Sequence, residues 1–155
     1  MSTSTALRSR IAGSVAWMAI GDALGMPSEF LTPTQIRQEY GAITGLRQPG
    51  RKAIHPDLRM GSVTDDTEQA LYLVEGFCRY RRVSAETAAA ALVRWATERD
   101  VWNKSYLGPS SGCALRRLAE GGDPHITGGD GSTVGAAMSG SGLAAARFRC
   151  STSNT

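Results

Sequence analysis

The sequence predicts an all-α protein, on three observations. Apolar residues recur at three- and four-residue spacings up to about residue 120. Segments with that spacing tend to start after Ser or Thr and to stop at glycine. No stretch alternates apolar and polar residues with the period of two that a half-buried strand requires.

Leu7, Ile11, Val15 and Met18 fall on one face of a helix expected over about Ser4 to Leu24. Gly25 is expected to close it in the left-handed conformation, and Pro27 to keep it from resuming. Thr32-Pro33, a cap followed by proline in the first turn, opens a short helix that Gly41 ends. Residues 41–63 are rich in Gly and Pro and read as one long loop, a length that is uncommon unless the loop serves a site. Thr64 stands at the N-cap of a third helix over about residues 65–81, in which Ala70, Leu71, Val74, Phe77 and Cys78 keep helical spacing. Ser84 caps a fourth, with Ala88, Ala91, Leu92 and Trp95 on a common face and an end near Arg99. After a loop from Trp102 to Gly108, Ser110 or Ser111 starts a fifth helix carrying Ala114, Leu115 and Leu118, which Gly121-Gly122 stops. Beyond it, residues 125–142 are crowded with Gly, Ser and Thr and show no core pattern.

A chain of 155 residues has the size of one domain. Hydrophobic residues make up 41% of it and charged residues 20%, both globular values. No run approaches the roughly 20 apolar residues of a membrane-spanning helix. The net charge is only +3, and the basic residues are scattered apart from Arg79, Arg81 and Arg82, a poor footprint for nucleic acid. Cys78, Cys113 and Cys150 are odd in number and lack C-x-x-C spacing, so neither disulfides nor zinc are indicated. Two packed thiols and one tail thiol in a reducing cytoplasm are expected. Arg8 and Arg10 before the apolar residues 11–20 have the layout of a secretory signal. Asp22 and the glycines around it read as a working loop instead of a cleavage site, so a cytoplasmic location is expected.

Three segments carry chemistry. Thr64-Asp65-Asp66-Thr67 offers hard oxygen ligands of the kind magnesium, calcium or manganese prefer. The same acids would also stabilise a helix dipole by about 0.3–1 kcal/mol each without any metal, and one helical turn cannot surround a cation. In Gly21-Asp22-Ala23-Leu24-Gly25-Met26-Pro27-Ser28-Glu29-Phe30, the glycines allow close backbone approach and Pro27 fixes the exit, which would present Glu29 at a pocket rim; taken alone, the segment reads first as an ordinary helix end with two solvated acids. Gly108-Pro109-Ser110-Ser111-Gly112 presents backbone N–H groups and hydroxyls at a helix start, suited to a phosphate or to simple capping. His55 and His125 sit in loops and read as exposed histidines without a role. The glycines of residues 128–142 do not follow a strand, so neither a dinucleotide fingerprint nor a Walker loop is supported.

Taken in order, Gly21-Asp22-Ala23-Leu24-Gly25-Met26-Pro27-Ser28-Glu29, Gly61-Ser62-Val63-Thr64-Asp65-Asp66-Thr67-Glu68 and Gly108-Pro109-Ser110-Ser111 resemble the ADP-ribosylglycohydrolase family, which includes the dinitrogenase-reductase-activating glycohydrolases. The resemblance covers about residues 10–122. It implies an all-α fold with a binuclear magnesium site that removes ADP-ribose from a modified side chain or a related N- or O-linked conjugate. By position it implies Thr64, Asp65 and Asp66 as metal ligands. It likewise implies Glu29 beside the two aspartates as the catalytic carboxylates, Glu29 assisting the water or gating the site. Ser110, Ser111 and Gly112 match the part of the family that lines the substrate cleft. The partner implied is an ADP-ribosylated protein or another ADP-ribosyl conjugate, with no nucleic acid and no membrane indicated.

Family members are longer and bring a further Asp-x-Asp-Thr segment to the metals, which this chain lacks. Gly135-Ala136-Ala137-Met138 resembles the family's glycine-rich segment ending in Met-Arg, with Ser139 in the arginine's place. The expectation is an N-terminal family portion over residues 1–138 and an irregular or foreign tail over 139–155, from truncation or a disrupted frame, leaving the magnesium site incomplete. The alternative is a catalytically inactive helical protein that binds ADP-ribose or a protein partner.

Overall fold

The computed structural model describes residues 3–103 and 109–129, and every regular element among them is helical. The expected tail over 139–155, Cys150 and the Gly135–Met138 segment lie outside the described residues. The chain forms two compact units, Met1–Thr67 and Glu68–Thr155.

In the first unit, α1 runs Thr3–Gly25 and leads into a 3-10 turn, Met26–Ser28. Leu7, Ile11, Val15 and Met18 are half-buried, as their spacing predicts, whereas Trp17 is 73% exposed. Gly25 does not adopt the expected left-handed conformation. Its φ of −77° is right-handed, and the chain keeps turning into the segment that buries Met26 and Pro27. The fixed φ of proline suits the first turn of a new helix as well as it ends an old one, so Pro27 starts the 3-10 turn here. The left-handed residue is instead Phe30, at φ 59°.

Helix α2, Pro33–Tyr40, opens with a capping box. Thr32 Oγ1 accepts from the Gln35 N–H, and Gln35 Oε1 accepts from the Thr32 N–H at 2.8 Å. Gly41, at φ 65°, ends the helix. A side chain would be strained in that conformation. Side chains then order the long loop, whose Gly and Pro content forbids a helix. Tyr40 Oη donates to the Pro27 carbonyl at 3.0 Å and accepts from the Gly50 N–H at 2.7 Å. The Gln48 amide donates to the Leu58 carbonyl and accepts from the Met60 N–H.

Helix α3, Asp65–Tyr80, has its first three residues in the first unit and the remainder in the second. The second unit continues with α4, Ala85–Glu98, a 3-10 turn at Val101–Asn103, and α5, Pro109–Ala119. Ser84 and Thr87 form a second capping box ahead of α4. Leu73, Phe77 and Ala91 make one core cluster with Ala88 and Leu92 packed on it. Trp95, Ala96, Val101 and Leu115 make another. The Trp95 indole N–H, fully buried, is satisfied by Glu68 Oε2 at 2.9 Å. Arg94 pairs bidentately with Glu75. Two expectations fail here. Leu71 is exposed and Leu73 takes its place, because the buried face is set by Ala70, Leu73 and Phe77 at positions i, i+3 and i+7. Cys113 is exposed, so of the two thiols expected to pack only Cys78 is even half-buried.

Gly76 packs face to face with α4: a Cβ there would lie 2.7 Å from the Ala91 Cβ. Gly76→Val should therefore cost about 1–3 kcal/mol of stability by overpacking. Gly13, in the interior of α1, has nothing within 4 Å of its missing Cβ. It should behave oppositely, Gly13→Ala gaining up to about 1 kcal/mol. Urea denaturation of the two variants checks both signs.

Candidate active site

The end of α1 and the start of α3 are joined by one carboxylate. Asp22, on the last turn of α1, accepts from the Thr64 N–H at 2.8 Å, from Thr64 Oγ1 at 2.8 Å and from Thr67 Oγ1 at 2.5 Å. Both threonines are buried, at 5% and 2% exposure. Three donors that would otherwise be stranded are thus satisfied by one side chain, and charge-assisted bonds of this kind are the stronger class. The bonds fix the register of Thr64-Asp65-Asp66 at the mouth of α3. Thr64 directly precedes the helix, as expected, with its hydroxyl hydrogen directed to Asp22.

Glu29 follows the 3-10 turn. Its N–H bonds back to Met26, Leu31 N–H closes the next turn on Ser28, and Phe30 between them is left-handed and 82% exposed. Glu29 Oε2 lies 3.1 Å from Nε2 of His55, which is only 6% exposed. The histidine expected to be an idle surface residue is thus buried against a site carboxylate. Sequence spacing gave no sign of it, since the two residues are joined only by the folding of the long loop.

Four acids share this region. Burial pushes the Asp65 carboxyl up to about 7, with the charges of Asp66, Glu29 and Asp22 adding to the rise and a backbone hydrogen bond opposing it. Asp66 is also raised, by burial first and then by Asp22 and Glu29. Buried carboxylates grouped in this way, one of them raised to about 7, are an arrangement that a hard divalent cation relieves. The donor chemistry therefore suits magnesium. Among the described residues, however, no group of three or more His, Cys, Asp or Glu side chains is disposed to hold an ion, so these acids supply at most part of a shell.

The structure thus brings Asp22, Glu29, Thr64, Asp65 and Asp66 together within the first unit. Ser110, Ser111 and Gly112 form the first turn of α5 in the second unit, with Ser111 and Gly112 half-buried. Asp22 was visible in the sequence as the acid between two glycines, yet nothing in its spacing showed that it would serve as the acceptor for Thr64 and Thr67.

A profile of the ADP-ribosylglycohydrolase family matches residues 3–153. The chain belongs to that family. An uncharacterized protein of Archaeoglobus fulgidus is 39% identical over 122 residues, covering 78% of this chain and 37% of that protein. The Escherichia coli protein YegU, also uncharacterized, is 33% identical over 132 residues, or 83% of this chain and 39% of its own length. The ADP-ribosyl-[dinitrogen reductase] glycohydrolase of Rhodospirillum rubrum is 29% identical over 99 residues, 64% of this chain and 32% of that enzyme. The chain therefore spans between about a third and two-fifths of the length of the relatives it matches. Among its described residues no helix is long and apolar enough to cross a membrane.

Two outcomes follow from the geometry. Asp22→Ala strands three donors of two buried threonines, two hydroxyls and one backbone N–H. It should cost about 3 kcal/mol or more in denaturant unfolding, with Asp22→Asn milder because hydroxyls can reorient. In metal-free protein, Asp65 should titrate near 7 in carbonyl-edited NMR. Between 3.8 and about 7 the folded chain keeps a proton that the unfolded chain has lost, so stability should fall as pH rises through that window, and Asp65→Asn should flatten the fall.

Proposed function

We propose that the chain is the metal-site portion of a magnesium-dependent hydrolase that removes ADP-ribose from a modified side chain or a related N- or O-linked conjugate. The observation that carries this reading is the gathering of Asp66, Glu29 and Asp22 around Asp65, whose carboxyl is pushed up to about 7 by burial first and by those neighbouring charges second. Family membership supports it, as does the R. rubrum relative, named as a glycohydrolase of ADP-ribosyl-[dinitrogen reductase].

The residues proposed to hold magnesium are Thr64, Asp65 and Asp66, two ions being the family expectation, and they supply part of the shell. When bound, magnesium would supply positive charge to orient the ribose hydroxyls and an attacking water. Hydrolysis adds water across the ribosyl bond: the hydroxyl goes to the anomeric carbon, and the leaving nitrogen or oxygen takes a proton. Positive charge develops on the sugar as that bond breaks, and an anionic pocket stabilises it. Glu29 is proposed to accept the water's proton, and Asp65 and Asp66 to carry the negative field. Ser110, Ser111 and Gly112 are proposed to line the substrate cleft, their helix start offering N–H groups to a phosphate.

A second reading, a catalytically inactive helical protein that binds ADP-ribose or a protein partner, draws on a specific observation: no complete metal-ligand group exists among the described residues. One assay separates the two. The chain is incubated with ADP-ribosylated dinitrogen reductase and a panel of other ADP-ribosylated proteins, with magnesium or with chelator. A hydrolase releases ADP-ribose only with magnesium and loses release on Asp65→Ala. Thermal stabilisation by ADP-ribose without release supports the binding reading instead, and neither effect overturns both.

A further inference from the structure

We propose that His55 is the positioning residue for Glu29, holding its carboxylate at the mouth of α3; this rests on the hydrolase reading above. The turn that carries Glu29 ends in a left-handed Phe30 whose ring is exposed. Such a conformation costs a non-glycine residue about 1–2 kcal/mol, and it is maintained there with little packing around the side chain. Besides the turn's own backbone bonds, two hydrogen bonds reach it, one from Tyr40 at the end of α2 and one from His55 in the long loop. Tyr40 links the Pro27 carbonyl to the Gly50 N–H, and His55 meets Glu29 two residues further on.

His55 is itself well anchored. It is buried, its carbonyl accepts from the Leu58 N–H, the turn before it is closed by the Ala53 N–H on Gly50, and Gln48 fastens the loop across Leu58 and Met60. A buried imidazole on a braced loop is a fixed donor, while Glu29 is a half-exposed side chain on a turn. The direction of control therefore runs from His55 to Glu29. Left alone among Asp22, Asp65 and Asp66, the Glu29 carboxylate would be driven towards water by like-charge repulsion, and the Nε2–H bond opposes that departure. This also assigns the long loop between α2 and α3 a purpose, since its ordering delivers His55 to the acid.

The test compares wild type, His55→Gln, which keeps an N–H donor, and His55→Phe, which fills the space without one. With Glu29 carrying a 13C-labelled carboxyl, its NMR resonance is expected to be alike in wild type and His55→Gln but displaced towards that of a solvated glutamate in His55→Phe. A resonance that is the same in all three overturns the proposal, whether or not turnover is seen. In the magnesium-dependent release assay, His55→Phe should lower kcat at least tenfold with KM changed less than threefold, and His55→Gln should recover most of that loss. Active wild type with an equally active His55→Phe variant overturns the proposal while leaving the hydrolase reading intact. No release by wild type from any substrate, with a His55-dependent Glu29 resonance, overturns the hydrolase reading alone. Should His55→Phe fail to fold, Glu29→Gln replaces it: the 15N shift of the His55 Nε2 must then move, and an unmoved shift overturns the pairing.

Discussion

The site depends on the three hydrogen bonds that Asp22 accepts from Thr64 and Thr67. They tie the end of α1 to the start of α3, and without them two buried hydroxyls and a backbone N–H are left without the acceptor the fold provides. With them, the chain direction at Thr64 is fixed and Asp65 and Asp66 emerge on the first turn of α3 at a set orientation. The cost is electrostatic: the anion that organises the threonines also raises the proton affinity of the aspartates they introduce. The cluster thus stabilises its framework while destabilising its own charge.

The long segment between α2 and α3 shows how a loop without regular structure can still be built to a specification. Its order comes from side chains reaching backbone groups: Tyr40 to Pro27 and Gly50, Gln48 to Leu58 and Met60. These bonds satisfy polar groups that a helix or sheet would otherwise satisfy, and they carry the loop past the turn bearing Glu29. The second unit is held in a different way, by apolar faces of helices, with Gly76 letting α3 and α4 approach closely and Glu68 meeting the one polar atom of a buried tryptophan side chain.

Much of the framework was legible in the chain. The five helices, the caps at Thr32 and Ser84 and the stops at Gly41 and Gly121 follow from local rules, because capping and glycine chemistry act over three or four residues. The site was legible in part: the acids of the Thr64-Asp65-Asp66-Thr67 run and Glu29 stand out as residue types in a pattern. His55 was not, for its partner is twenty-six positions away and a loop histidine has no local signature. Gly25 and Leu71 went the other way. Each obeyed a local expectation that packing overrode, the first by burial of Met26 and Pro27, the second by the face that Phe77 and Ala70 select.

By itself, then, the order of residues determined the all-helical class, the element boundaries to within a residue or two, and the family to which the chain belongs. Those properties arise from interactions between near neighbours and from motifs readable in a line. Tertiary structure alone decided that Asp22 is the acceptor for two threonines, that His55 leaves solvent to meet Glu29, and that Asp65 holds its proton up to about 7. Each of these is a matter of distance and burial between residues remote in sequence, and the free energy of a charge depends on what surrounds it in space.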